Sequence, residues 1–208
     1  KVNNSTTPAS ISYNNLPVYD YYRKYQKYIN HQSTTSFDSA LIGNGNRSSN
    51  LPFISSQKSA RVEYLWKANE LITAGLKTGK ITGMRLNLTA LGSEMKNLKI
   101  KMKHIGFDSM NGKSFTDSMI TVYYLNTLFA KTGWVDLQFI TPFNWNGTSN
   151  IIVEFSFDKD YNGTDHVLLA DTTAFLSGVF SAGADYCIAI KKSGDYVNLG
   201  KAMQLTGA

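Results

Sequence analysis

Three stretches of this chain place apolar side chains at alternate positions: MRLNL within KITGMRLNL (80–88), VDLQF within WVDLQFIT (134–141) and VEFSF within NIIVEFSFD (150–158). A period of two is the signature of a strand that buries one face. In the first, Met84, Leu86 and Leu88 point one way while Arg85 and Asn87 point the other. In the second, Val135, Leu137 and Phe139 oppose Asp136 and Gln138, and in the third Val153, Phe155 and Phe157 share a side. Such segments cannot stand alone, because each leaves a greasy face that only a second layer can cover.

The same reading extends to ARVEYLW (60–66), NLKIKMKH (97–104), ITVYYL (120–125), HVLLAD (166–171) and DYCIAI (185–190). Only KANELITAGL breaks the alternation; it predicts one helical turn, ended by Gly75 and Gly79. About eight short strands with turn-rich joints predict an all-β chain, an antiparallel β-sandwich of jelly-roll or immunoglobulin-like kind, over residues 51–208. Residues 1–50 read differently. They are rich in Asn, Ser and Thr and hold PVYDYYRKYQKYINHQ, a Tyr-rich arm that is either a short helix, with Tyr21, Tyr25 and Tyr28 on one face and Tyr22 on the neighbouring one, or an extended segment laid on the domain. So many tyrosines seek burial or a partner, which makes these four candidate interface residues toward another copy or a neighbouring domain.

Composition narrows the function classes. No apolar run approaches the roughly 20 residues needed to span a bilayer. The chain opens at Lys1, with neither initiator Met nor signal peptide, and reads as a piece processed from something longer. Cys187 is alone and, in YCIAI, reads as a small buried hydrophobe. The net charge of +6 is carried partly by Lys99, Lys101 and Lys103, which alternate with Leu98, Ile100 and Met102 and so share one sheet face. That stripe is either a solvated face with Lys guarding an edge or a docking strip for acidic polysaccharide or an anionic surface; no motif accompanies it that would point to nucleic acid. Catalysis finds no support: His31, His104 and His166 are scattered, and there is no G-x-S-x-G elbow, P-loop or dinucleotide fingerprint.

One loop invites a cofactor. DKDYNGTD repeats the opening of a calcium loop at Asp158, Asp160, Asn162 and Gly163, but Leu169 stands where the bidentate Glu belongs. The alternative is a polar hairpin turn. Trp145 and Tyr161 are candidate sugar-stacking residues, with a structural cap as the other reading of Trp145.

Several of these segments resemble a known family. RVEYLWKANELITAGLKTGKITGMRLNL, NLKIKMKH and GWVDLQFITPFNWNGTSNIIVEFSFD, led in by LIGNGNRSSNLPF, resemble a β-sandwich module of secreted Bacteroidota proteins. The matching positions are Glu70-Leu71, Gly75, Gly79, Ile81, Ile100, His104, Gly133-Trp134, Pro142-Phe143, Trp145, Gly147-Thr148-Ser149-Asn150 and Val153, within residues 41–190. His104 departs in lacking the usual following Thr. The resemblance implies an extracellular, non-catalytic unit of a large surface protein, found beside fibronectin-type-III-like, lectin-like and type IX sorting domains. It supplies no ligand. It also implies that Asp-Ser/Thr pairs could carry O-glycans as in those bacteria, at Ser39, Ser109, Ser118 and Thr172. The expectation is a structural or adhesive module, with a carbohydrate-binding module of a polysaccharide-degrading enzyme as the alternative.

Overall fold

The computed structural model describes residues 38–183 apart from 112 and 114, and the backbone of 203–207. Tyr21, Tyr22, Tyr25 and Tyr28, and the strand expected around Cys187, lie outside the described residues.

Eleven strands and one short helix are described, in the order β1 (Asp38–Ile42), β2 (Arg47–Ser49), β3 (Ser59–Trp66), α1 (Ala68–Thr73), β4 (Gly79–Ala90), β5 (Met95–Ile105), β6 (Ile120–Thr127), β7 (Gly133–Trp145), β8 (Asn150–Asp158), β9 (Val167–Ala170), β10 (Gly178–Gly183) and β11 (Met203–Gly207). They form two antiparallel sheets. One runs β1-β11-β4-β9-β2, with β7 on the other side of β4; the second runs β10-β3-β8-β5-β6. From β3 to β10, six of the seven connections cross between sheets, and only β5–β6 stays within one. That wiring is the jelly-roll form of the sandwich.

The two alternating faces meet as the sequence predicts. Met84, Leu86 and Leu88 from β4 and Val135, Leu137 and Phe139 from β7 close over Val62, Ile100, Met102, Val153, Phe155 and Phe157 of the second sheet in one buried cluster. Phe53 sits at its end with ring centroids 5.5 Å from Phe129 and 5.8 Å from Phe155. β1 and β2, both upstream of residue 51, are strands of the first sheet.

Local chemistry accounts for the joints. The backbone N–H of Lys67 donates to Glu70 Oε2 (2.8 Å) and that of Ala68 to Asn150 Oδ1 (2.8 Å), which caps α1. Gly75, at φ 90°, follows its end. The turn between β7 and β8 closes on Asn146, whose Oδ1 accepts from the backbone N–H of Thr148 (3.1 Å) and Ser149 (2.8 Å), with Gly147 at φ 79°.

Candidate functional site

The outer face of the second sheet carries the chemistry. Its register sets the residues in rows: Arg61, Ser156, Lys99 and Tyr124 lie abreast on β3, β8, β5 and β6. The next row is Glu63, Glu154 and Lys101, and the next Leu65, Ile152 and Lys103. Along the strands the face therefore passes from apolar, through buried charge, to open and polar.

The apolar end is roofed. The β5–β6 connection, residues 106–119, folds back over the sheet, and Met110 joins Leu65, Ile152 and Val179 in a second buried cluster with Phe107, Phe115, Met119, Phe175 and Leu176 packed around it. Met110 N–H donates to Leu176 O (2.8 Å) and Asn150 Nδ2 to Phe107 O (2.8 Å).

The middle row is an ion network. Glu154, 1% exposed, accepts from Arg61 Nε (2.7 Å), Lys101 Nζ (2.8 Å) and Ser156 Oγ (3.3 Å). Glu63, 0% exposed, accepts the Thr116 N–H on both oxygens (2.9 and 3.0 Å) and Arg61 Nη2 on one (3.0 Å). Arg61 also donates to Thr116 O (2.9 Å) and lies 4.3 Å from the centre of the Phe115 ring, so the roof is pinned by the same guanidinium. Burial, with the Glu154 charge adding to it, pushes Glu63 up to about 7 against the opposing pull of Thr116 and Arg61.

This has a signed consequence. A carboxyl whose folded pKa lies above its unfolded one favours folding in its protonated form. Its stabilisation is complete below about pH 4.5 and is lost as pH rises through 7, on the order of 3 kcal/mol across that window. Urea unfolding at stepped pH should show it, and Glu63→Gln should flatten that part of the profile. His166 acts in the opposite sense, since burial lowers its pKa and its contribution is lost as pH falls. The difference between wild type and Glu63→Gln isolates Glu63; equal slopes would refute the assignment.

The open row forms a groove of about 160 Å³ lined by Arg61, Lys99, Lys101, Tyr124, Asn97 and Glu154, with Ser156, Phe157 and Asp158 completing it. Tyr124, 44% exposed, donates its hydroxyl to Asn97 Oδ1 (3.2 Å), and Lys99 Nζ lies 5.1 Å from its ring centre. Lys103 Nζ donates to Asp117 O (2.8 Å). Lys99 has no carboxylate partner among the described residues.

The sites expected from sequence fall elsewhere. Trp145 is 2% exposed, in the main core, and its Nε1 donates to Ser149 O (2.8 Å). Its ring is thus closed to a sugar, which corrects the stacking reading and leaves the structural cap. Tyr161 is half-buried; its hydroxyl donates to Glu94 O (3.1 Å), and Lys159 and Lys96 lie 4.3 and 5.5 Å from its ring centre.

The DKDYNGTD loop is organised by its own cation. Lys159 is buried with its Nζ donating to Ser55 O, and Gly163 N–H donates to the same oxygen (3.0 Å). Burial lowers the Lys159 pKa. Asp160 is exposed and accepts Lys96 Nζ (2.9 Å), while Asp158 O accepts Asn97 Nδ2 (3.4 Å) and Asn162 is exposed. Among the described residues no group of three or more His, Cys, Asp or Glu side chains could hold a metal. Millimolar calcium is accordingly expected to leave the melting temperature unchanged, and a rise that chelator reverses would restore Asp158, Asp160 and Asn162 as ligands.

Of the candidate glycosylation positions, Ser39, Ser118 and Thr172 are exposed. Ser118 stands at φ 54° in the roof segment. Ser109 is half-buried and accepts the Asn111 N–H (3.2 Å). Thr172 follows Asp171, whose buried carboxylate gathers the backbone N–H groups of Asn44 (2.8 Å) and Gly45 (3.0 Å).

Sequence reading placed Lys99, Lys101 and Lys103 on one face but missed Arg61, Glu63, Glu154 and Tyr124 as their neighbours. A signal for two of these was present: RVEYLW and IIVEFSF each seat one carboxylate in an apolar run. Compared with protein-family models, curated proteins and solved structures, the chain matches none of them.

Proposed function

We propose that this chain is a non-catalytic module of an exported bacterial surface protein, attaching its parent to a substratum or to neighbouring subunits. The observation that carries this reading is the open row of Arg61, Lys99 and Tyr124 on a rigid sheet face: polar groups fixed by strand register, above a filled core. The extracellular address rests on the sequence resemblance of 41–190 to secreted Bacteroidota modules, and with it goes O-glycosylation, for which exposed Ser118 is the best placed of the four positions. The exposed Tyr124 ring beside amide and ammonium groups supports the second reading, a carbohydrate-binding module, because an aromatic face with a few oriented polar groups suits a sugar ring. Exposed Ile120 and Leu128, in and just after the edge strand β6, support attachment to other copies.

Retention on immobilised polysaccharides, release of reducing ends and sedimentation velocity without sugar form one decisive set. The expected result is retention or concentration-dependent assembly with no release, and, for protein from its native host, an intact mass above that of the bare polypeptide. Turnover of any polysaccharide, or neither retention nor assembly, would overturn the proposal.

A further inference from the structure

We infer that the groove takes one acidic sugar unit of a longer glycan, its ring against Tyr124 and its anionic group on Lys99 Nζ. This rests on the attachment reading and specifies the ligand of that same face.

The argument starts from how the cations of the face are used. Arg61 is shared between Glu63 and Glu154, Lys101 is held by Glu154, and Lys103 by a backbone oxygen. Lys96 is taken by Asp160. Lys99 is half-buried in the open row with the Tyr124 ring beside it and, among the described residues, no carboxylate partner. An ammonium held on a sheet face without a counter-ion is completed by an anion from outside, and a charge-assisted hydrogen bond is the strong kind. The groups around it suit a polyol. Tyr124 is oriented by its hydroxyl bond to Asn97 and offers its ring. Asn97 Nδ2 makes only a long 3.4 Å contact, and exposed Asp158 at the rim can accept sugar hydroxyls.

Size and charge exclude other ligand classes. The groove, about 160 Å³, is below the roughly 300 Å³ at which enclosed small-molecule pockets begin. It is open across three strand spacings of about 4.8 Å each, which suits a chain crossing the face with one unit seated. Arg61 and Lys101 are already paired with Glu63 and Glu154, so the positive charge left to a ligand is local to Lys99. Nucleic acid, which draws its affinity from many phosphate contacts at once, needs a wider basic surface.

Affinity electrophoresis of the whole chain tests this with polygalacturonate, dextran sulfate, neutral dextran and polyadenylate. Binding is expected to polygalacturonate or dextran sulfate and not to neutral dextran; the preferred one of the two acidic polymers identifies carboxylate or sulfate as the anionic group. Lys99→Gln and Tyr124→Ala should each weaken it about tenfold or more, and Lys99→Arg should recover most of it. Thermal melts of the variants confirm that their folds are intact. Equal retention on neutral dextran, or affinity unchanged in both variants, would sink the acidic-sugar inference while leaving an attachment module standing. Preference for polyadenylate would overturn it in favour of nucleic acid. Absence of binding to every polymer refutes the inference, and the attachment reading then depends on self-assembly alone.

Discussion

Gly92→Ala is expected to destabilise the domain by about 3 kcal/mol, among the largest effects of any single added methyl group here. Gly92 lies in the short link from β4 to β5. A Cβ there would stand 2.4 Å from Thr164 O, 2.5 Å from Asp165 C and 2.5 Å from His166 N. All three are backbone atoms, so no side-chain rotation relieves the collision. The link must move away, and it takes two ties with it: Gly92 N–H to His166 Nδ1 (2.8 Å) and Ser93 N–H to Thr164 O (2.9 Å). Because Nδ1 accepts, the ring proton is on Nε2 and donates to Ser93 O (3.0 Å). The neutral ring then packs edge-on to Phe53 and Phe129, at 6.1 and 5.2 Å. Displacing the link therefore loosens the end of the main core as well. Gly106→Ala is the control: nothing lies within 4 Å of its Cβ position, and its melt should shift by no more than a few tenths of a kcal/mol. Urea midpoints with unchanged m-values would measure both, and a Gly92→Ala midpoint equal to that of Gly106→Ala would refute the close-approach account.

The second large effect is Glu154→Ala, expected to cost about 3 kcal/mol. Removing one partner from a buried ion pair leaves the others uncompensated, typically at about 3–5 kcal/mol. Here the lower end applies, because Arg61 and Lys101 are 20% and 30% exposed and regain some hydration. The variant has a further readout. Glu154 is one of the charges that raise the Glu63 pKa, so its loss should draw the Glu63 transition downward from about 7. A pH–stability profile of Glu154→Ala measures both terms. A profile merely lowered, with its midpoint unmoved, would show that the two carboxylates are not coupled.

What could be read in advance follows from sequence distance. Strand β8 was predicted with its observed bounds, since Val153–Phe157 alternates and the run Asn150–Asp158 is bounded by turn residues. Strand β7 runs to Trp145 rather than stopping at 141, because exposed Pro142 lies on an edge strand, where a missing N–H is tolerated, and the register with β4 shifts at Ile81/Gly83. β1 escaped notice because exposed Leu41 breaks its alternation between Ala40 and Ile42. β2 is three residues long, and β10, GVFSAG, has a Gly at each end, so neither carries enough pattern. The groove was half visible: the lysines of β5 share a face by period alone. Their partners come from residues 61, 124 and 156, joined by register across four strands, and no local pattern encodes that register.

The pairing of β1 with β11 bears on how such a module would respond to load. Asp38 lies opposite Gly207 and Ile42 opposite Met203, so the outward ends of both strands sit at the same end of the pair. Antiparallel ladder bonds run perpendicular to the strands. Tension applied at 38 and 207 would therefore open the rungs in turn, like a zip, instead of shearing them all together. At this margin the pair would yield gradually under a weak pull.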